Sequence, residues 1–290
     1  MGVIIRQSIQ NTVIAYVGVL LGFVSTIILY PRVLTTDQYG LIQNLIALAM
    51  ISTQFAHLGM KNTIIRYFPY FKETRTNKYG LLFLTIVIPL AGFLFFCVFF
   101  FLFDDQLVRY YTDQSQLFEQ YYLFLVPLVG MVLYFEVLNS YVRALQDSVT
   151  GSFLNEVFIR FLVVVLLLLH WFGLFNFAWF IIFFVLIYST QPVILLVYLF
   201  VKGELSMKIP FIAGRNWELA GKMFTYGIYT LLGGLTTTLV GRIDIIMLGM
   251  IASLGDSGIY AIAFYVGSVI ETKTIDFQDC YSHTVRTDQG

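Results

Sequence analysis

Two opposite charges interrupt an apolar run in the second half of the chain, "TLLGGLTTTLVGRIDIIMLG" (230–249). On a helix, residues two apart point about 200° apart, so Arg242 and Asp244 do not pair with each other. Arg242 shares a face with Thr230, Gly234 and Thr238, and Asp244 shares one with Thr230, Gly233 and Thr237. A charge among apolar residues either binds something or bridges to another helix, because lipid does not solvate it. Glu136, Ser140, Arg143 and Asp147 follow at spacings of four, three and four, again one helix face. Arg143 and Asp147 have the i,i+4 spacing of an ion pair, and Glu136 is the candidate for proton-linked chemistry. Near the N-terminus, Ser8, Asn11, Ala15, Gly18, Gly22 and Ser25 also form one stripe. It reads either as close helix packing through small residues or as the polar wall of a cavity, with Asn11 at the watery end.

In "LGMKNTIIRYFPYFKETRTNKY" (58–79), Lys61, Arg66, Lys72, Arg75 and Lys78 alternate with aromatic residues. Most of these suit an interfacial topology signal; Arg66, one turn past a span, is placed to meet an anionic headgroup. Cys97 and Cys280 lack any CxxC-like neighbour, and the histidines are scattered. No metal, redox pair or cofactor is expected. His57 and His170 suit interfacial packing. No Walker A, HExxH or GxSxG pattern occurs, so no ATP-binding site is expected in this chain.

The elements that position these residues are membrane spans. The chain has 290 residues, 59% hydrophobic and 12% charged, well under the roughly 25% charged of soluble domains. With zero net charge, it has no basic field for nucleic acid. Stretches of about 20 apolar residues predict helices near 8–31, 41–60, 80–103, 119–141, 154–171, 175–201 and 223–250, with an eighth starting near Gly258. Pro89, Pro127 and Pro192 fall within spans as bending points. The fold class is an all-α polytopic membrane protein.

Arg6, Lys61, Arg66, Lys72, Arg75, Lys78, Arg143, Arg160, Lys202, Lys208, Arg215 and Lys222 fall at the N-terminus and the even loops. The odd loops hold only Arg32 and Arg109. This bias predicts a cytoplasmic N-terminus. After "KGELSMKIPFIAGRNWELAGKM" the pattern begins again. "YPRVLTTDQYGLIQNLIAL" and "MLGMIASLGDSGIYAIAFYV" both end a long helix in a short turn before another apolar run, and Gly258 lies 218 residues after Gly40. The expected organisation is a six-helix lobe over 1–201, a cytoplasmic linker over 202–222, and the start of a second, repeat-related lobe over 223–270. The eighth run, Gly258 to Ile270, gives about 20 Å of helix against about 30 Å of hydrocarbon. Residues 271–290 form a polar tail, read as non-native and frameshift-derived.

The segments "ILYPRVLTTDQYGLIQNLIAL", "HLGMKNTIIRYFPYF", "NSYVRALQD", "GRIDIIMLG" and "LGDSGIYAIAF", in that order, resemble the polysaccharide/O-antigen exporters. These are lipid-linked oligosaccharide flippases of the multidrug/oligosaccharidyl-lipid/polysaccharide exporter superfamily. The resemblance implies two facing six-helix lobes, of which this chain holds the first and the opening of the second. It implies alternating access that carries an undecaprenyl-pyrophosphate sugar to the outer leaflet of the bacterial inner membrane. The cavity would be lined by the first, second, seventh and eighth spans, and Arg66, Arg143 and Arg242 would receive the pyrophosphate. The partners would be the lipid-linked oligosaccharide and membrane lipids, and the chain would be a transporter rather than an enzyme. The alternatives are a multidrug/cation antiporter on the same architecture, an inactive fragment, or a membrane glycosyltransferase using the carboxylates of loop 103–116.

Overall fold

The computed structural model describes residues 3–72, 75–112, 116–204 and 217–268. The polar tail and most of the linker therefore lie outside the described residues. Every element among those described is helical.

Helix α1 runs as an α-helix over Val3–Phe23, widens into a π-helix over Val24–Leu29 and closes with a turn over Tyr30–Val33. Leu34 is extended, and Thr35 caps α2 (Thr36–Ala56). The cap is reciprocal: the Gln38 N–H donates to the Thr35 hydroxyl at 3.3 Å, and the Thr35 N–H donates to Gln38 Oε1 at 3.1 Å. The chain then turns through His57, Leu58 and Gly59, with Leu58 and Gly59 at positive φ (50° and 74°). It resumes as α3 (Met60–Lys72). Helix α4 spans Arg75–Thr112. Helix α5 comprises Gln116–Tyr121, a 3₁₀ turn over Tyr122–Phe124 and Leu125–Ala144. Helix α6 comprises Val149–Phe153, a π-helical stretch over Leu154–Phe158 and Ile159–Trp171. Helices α7 (Phe177–Val201) and α8 (Trp217–Ile251) follow, and 254–268 forms α9.

Six of these helices are long and apolar enough to cross a membrane alone: α1, α4, α5, α6, α7 and α8. The pair α2 plus α3, bent by 43°, meets the same measure only when taken together. The second span was expected to be continuous over 41–60. It starts earlier, at Thr36, breaks after Ala56, and continues helically into the basic stretch. Gln43, Asn44, Ser52, Thr53 and Gln54 make α2 too polar for lipid contact, and it is instead enclosed by protein. Leu41, Ile42, Ala47 and Ala49 are fully buried, as are Val129, Leu133 and Val137 on α5. The lipid-facing side chains lie elsewhere: Phe95 and Leu102 on α4, Phe200 and Val201 on α7, and Val240 on α8 are largely exposed.

Helices α8 and α9 pack on α2 through glycines. Gly59 lies against the Gly227 carbonyl, Gly234 against the Gln54 amide, and Gly249 against the Asn44 side chain. Such contacts bring helix axes close without side chains between them. Asn44 is fully buried and satisfied: it donates to the Gly40 carbonyl at 2.9 Å and to Ser257 Oγ at 2.7 Å, and accepts from the Tyr111 hydroxyl at 3.0 Å.

Candidate functional site

Seven helices line a half-open cavity of about 390 Å³. Besides α1, α2, α8 and α9, it is walled by α5, α6 and α7, which the sequence reading left out. Both π-helical stretches border it. Ser25 and Thr26 come from that of α1, and Asn155 and Glu156 from that of α6. A π-turn changes the helical register locally, which turns polar side chains to a face that a regular helix would keep apolar.

The cavity contains an ordered pair of opposite charges. Arg160 Nη2 meets Glu156 Oε2 at 2.8 Å, one helical turn away, and its Nη1 donates to the Gly18 carbonyl at 2.7 Å. Asn155 Nδ2 donates to Glu156 Oε1 at 3.0 Å. The stripe on α1 makes room for this group. A Cβ on Gly18 would stand 2.9 Å from the Glu156 backbone oxygen, and one on Gly22 would stand 2.7 Å from Arg160 Nη1. Both readings of the stripe therefore hold at different heights. Gly18 packs on α6, whereas Gly22 and Ser25 line the cavity. Tyr265 of α9 donates to the Val19 carbonyl at 2.9 Å and joins α9 to the same wall.

Glu136 also lines the cavity, and Lys61 of α3 pairs with it at 2.6 Å. Arg242 enters from α8 beside Tyr39 and Tyr188, and no carboxylate pairs with it among the described residues. The lining holds two cations (Arg160, Arg242) and two carboxylates (Glu136, Glu156), and Lys61, bonded to Glu136 from α3, leaves the Arg242 charge in excess. That excess favours an anionic guest, and a guanidinium offers it paired donors. Tyr30 and Tyr39, with ring centres 4.4 Å apart, add an aromatic wall.

The other sequence candidates lie elsewhere. Arg66 is exposed on α3 and covers the Tyr226 ring of α8, 4.2 Å from its centre. Arg143 is exposed at the end of α5. Asn11 donates to Ser148 Oγ at 2.9 Å, joining α1 to the α5–α6 turn, and Gln7 beside it donates to the Gln146 carbonyl at 2.7 Å. Asp244 is exposed and accepts from the Tyr260 hydroxyl at 2.8 Å. The Arg143–Asp147 pair does not form. The helix ends at Ala144 and Gln146 turns to φ 66°, so Asp147 leaves the helical register. Asp147 instead accepts from the Val149 and Thr150 N–H groups, the Thr150 hydroxyl and Tyr198, with Lys202 Nζ 4.0 Å away. Burial pushes its pKa up, but the hydrogen bonds from Tyr198 and Thr150 and the charge of Lys202 outweigh this. Its carboxyl is held below the ordinary value.

Glu156 and Arg160 were missed as a site. Arg160 was counted as a loop charge, although both lie inside the predicted span at i,i+4, and that spacing was the available signal. The tyrosines carried no comparable signal.

An all-α, multi-pass membrane protein with a polar cavity among its spans, into which Arg242 points without a carboxylate partner among the described residues, is the class that fold and site define. The chain belongs to the polysaccharide biosynthesis protein family, whose model matches residues 4–275. No curated protein and no solved structure matches it.

Proposed function

We propose that this protein carries an anionic lipid-linked oligosaccharide of the undecaprenyl-pyrophosphate type across the membrane by alternating access, in the assembly of a cell-surface polysaccharide. The observation that carries this reading is Arg242, a cation without a carboxylate partner among the described residues, facing a cavity whose other charges are paired. Family membership sets the class of cargo, and the cavity supplies the chemistry for its headgroup. Arg242 and Arg160 receive the pyrophosphate, and the tyrosine wall stands where a sugar ring would follow. Arg66 and Arg143 belong to the path of entry and exit. Glu136, with Lys61, is the coupling candidate. Asn11 and Asp244 hold helices together on either side. The protein is a transporter rather than an enzyme, in the bacterial inner membrane with its N-terminus cytoplasmic. Its frame is a six-helix lobe through residue 201, a linker, and a second lobe opening with α8, which starts at Trp217 rather than at the expected 223.

Cation antiport is the second reading, because Glu136 and Glu156 both face the cavity. Each is already matched by a cation, which ranks this reading lower.

Binding separates the two. A detergent-soluble isoprenyl pyrophosphate, titrated onto the purified chain, is expected to bind and to weaken as salt rises. Absence of binding, together with pH-dependent uptake of a cationic dye, would replace export with antiport.

A further inference from the structure

The turn between α2 and α3 contains a buried histidine whose hydrogen bonding fixes its protonation state. His57 is 2% exposed, and its Nδ1 accepts the Gly59 N–H at 3.0 Å. An imidazole that accepts at Nδ1 is neutral, with its hydrogen on Nε2. That Nε2 is buried without a hydrogen-bond partner among the described residues. An imidazolium donates from both nitrogens, so a proton on Nδ1 would face the Gly59 N–H and the bond closing the turn would be lost.

We propose that His57 is a proton-binding site that controls the angle between α2 and α3. Protonation is incompatible with the bent turn, so proton uptake favours a rearranged one. The charged groups in reach are Lys61 from α3 and Glu136 from α5, which are bonded to each other. From α4, Gly92 packs on the Ala56 carbonyl, and from α8, Gly227 packs on Gly59. The turn is thus pressed between α4 and α8, so a change of angle there moves α3 relative to α8. The Lys61–Glu136 pair bridges the same joint, so Glu136 gains a new neighbour in the imidazolium as the turn changes. The device rests on His57 and the turn, not on the identity of the cargo.

The test uses the full chain in lipid nanodiscs, with Cys97→Ser and Cys280→Ser and spin labels at Phe55→Cys and Tyr70→Cys, both exposed positions. The distance between labels is measured from about pH 8 to about pH 3.5, because a proton that must displace the Gly59 bond is taken up below the ordinary imidazole value of about 6.5. Helix α3 is ~20 Å long, so each 10° at the turn displaces its far end by about 3 Å. The native chain is expected to shift its distance distribution with one proton's dependence, up to about tenfold in population per pH unit. His57→Gln, which can still accept from Gly59 but takes no proton, is expected to lose the shift. An identical shift in His57→Gln, or none in the native chain, would overturn the proposal. If His57→Gln does not fold, nitrogen NMR of histidine-labelled native chain decides. A His57 ring that stays neutral to about pH 3.5 also overturns it.

Discussion

Gly40 and Gly258 lie against each other at the α2–α9 contact, each facing the residue that opens the other's helix. A Cβ on Gly258 would stand 2.6 Å from the Thr36 carbonyl oxygen and 3.0 Å from the Gly40 nitrogen, and a Cβ on Gly40 would overlap the Leu254 carbonyl. Thr36 and Leu254 are separated by the same 218 residues as the two glycines. Reciprocal contact between equivalent positions is the mark of two-fold pairing. The caps repeat at that offset too. Thr35 accepts from the Gln38 N–H, and Ser253 accepts from the Asp256 N–H at 3.0 Å. Gly40→Ala or Gly258→Ala is expected to destabilise the protein by about 1–3 kcal/mol, because backbone on the far side cannot yield. The double substitution should cost less than the sum, since either one already separates the helices. Thermal unfolding in detergent reads this, and strict additivity would argue against a shared contact.

The repeated turn was visible before the structure because turn chemistry is local: a cap, an acidic or amide residue and a glycine keep their spacing. The cavity was legible only where a charge stood alone. Arg242 and Glu136 stood out because apolar neighbours surround them. Arg66 and Arg143 gave the same signal near span ends, where water can reach, and both proved exposed. Arg160 looked like one of them, yet Gly18 and Glu156 draw it inward. Whether a cation near a boundary turns in or out depends on the neighbouring helix, which one helix's periodicity does not contain. The break after Ala56 was hidden for a similar reason, since α2 is enclosed by protein and hydropathy measures fitness for lipid.

Neutralising Glu156 should strengthen anion binding in the cavity. Glu156→Gln removes a carboxylate from Arg160 and increases the positive excess. Isoprenyl pyrophosphate is expected to bind about threefold or more tightly at low salt, with the gain vanishing as salt rises. An unchanged affinity at low salt would mean that the anion does not reach Arg160.

Asp147 should make stability depend on acid. Its folded pKa is depressed, so its contribution is fully present above the ordinary carboxylate value near 3.8 and is lost as pH falls through the lower folded value. Asp147→Asn is therefore expected to be less stable than the native chain at neutral pH. The difference should narrow below about pH 4. Unfolding midpoints measured across that range check the sign. A gap that widens in acid would contradict the hydrogen-bonded carboxylate described here.

The central claim is that Arg242 receives the charge of the cargo. The direct measurement is transbilayer movement of a fluorescent isoprenyl-pyrophosphate oligosaccharide in proteoliposomes holding the chain. With Arg242→Gln the rate is expected to fall at least about tenfold, equal to about 1.4 kcal/mol. Arg242→Lys should retain part of it, and exposed Arg32→Gln should stay near the native rate, with all three inserted equally. A native rate in Arg242→Gln would contradict the account.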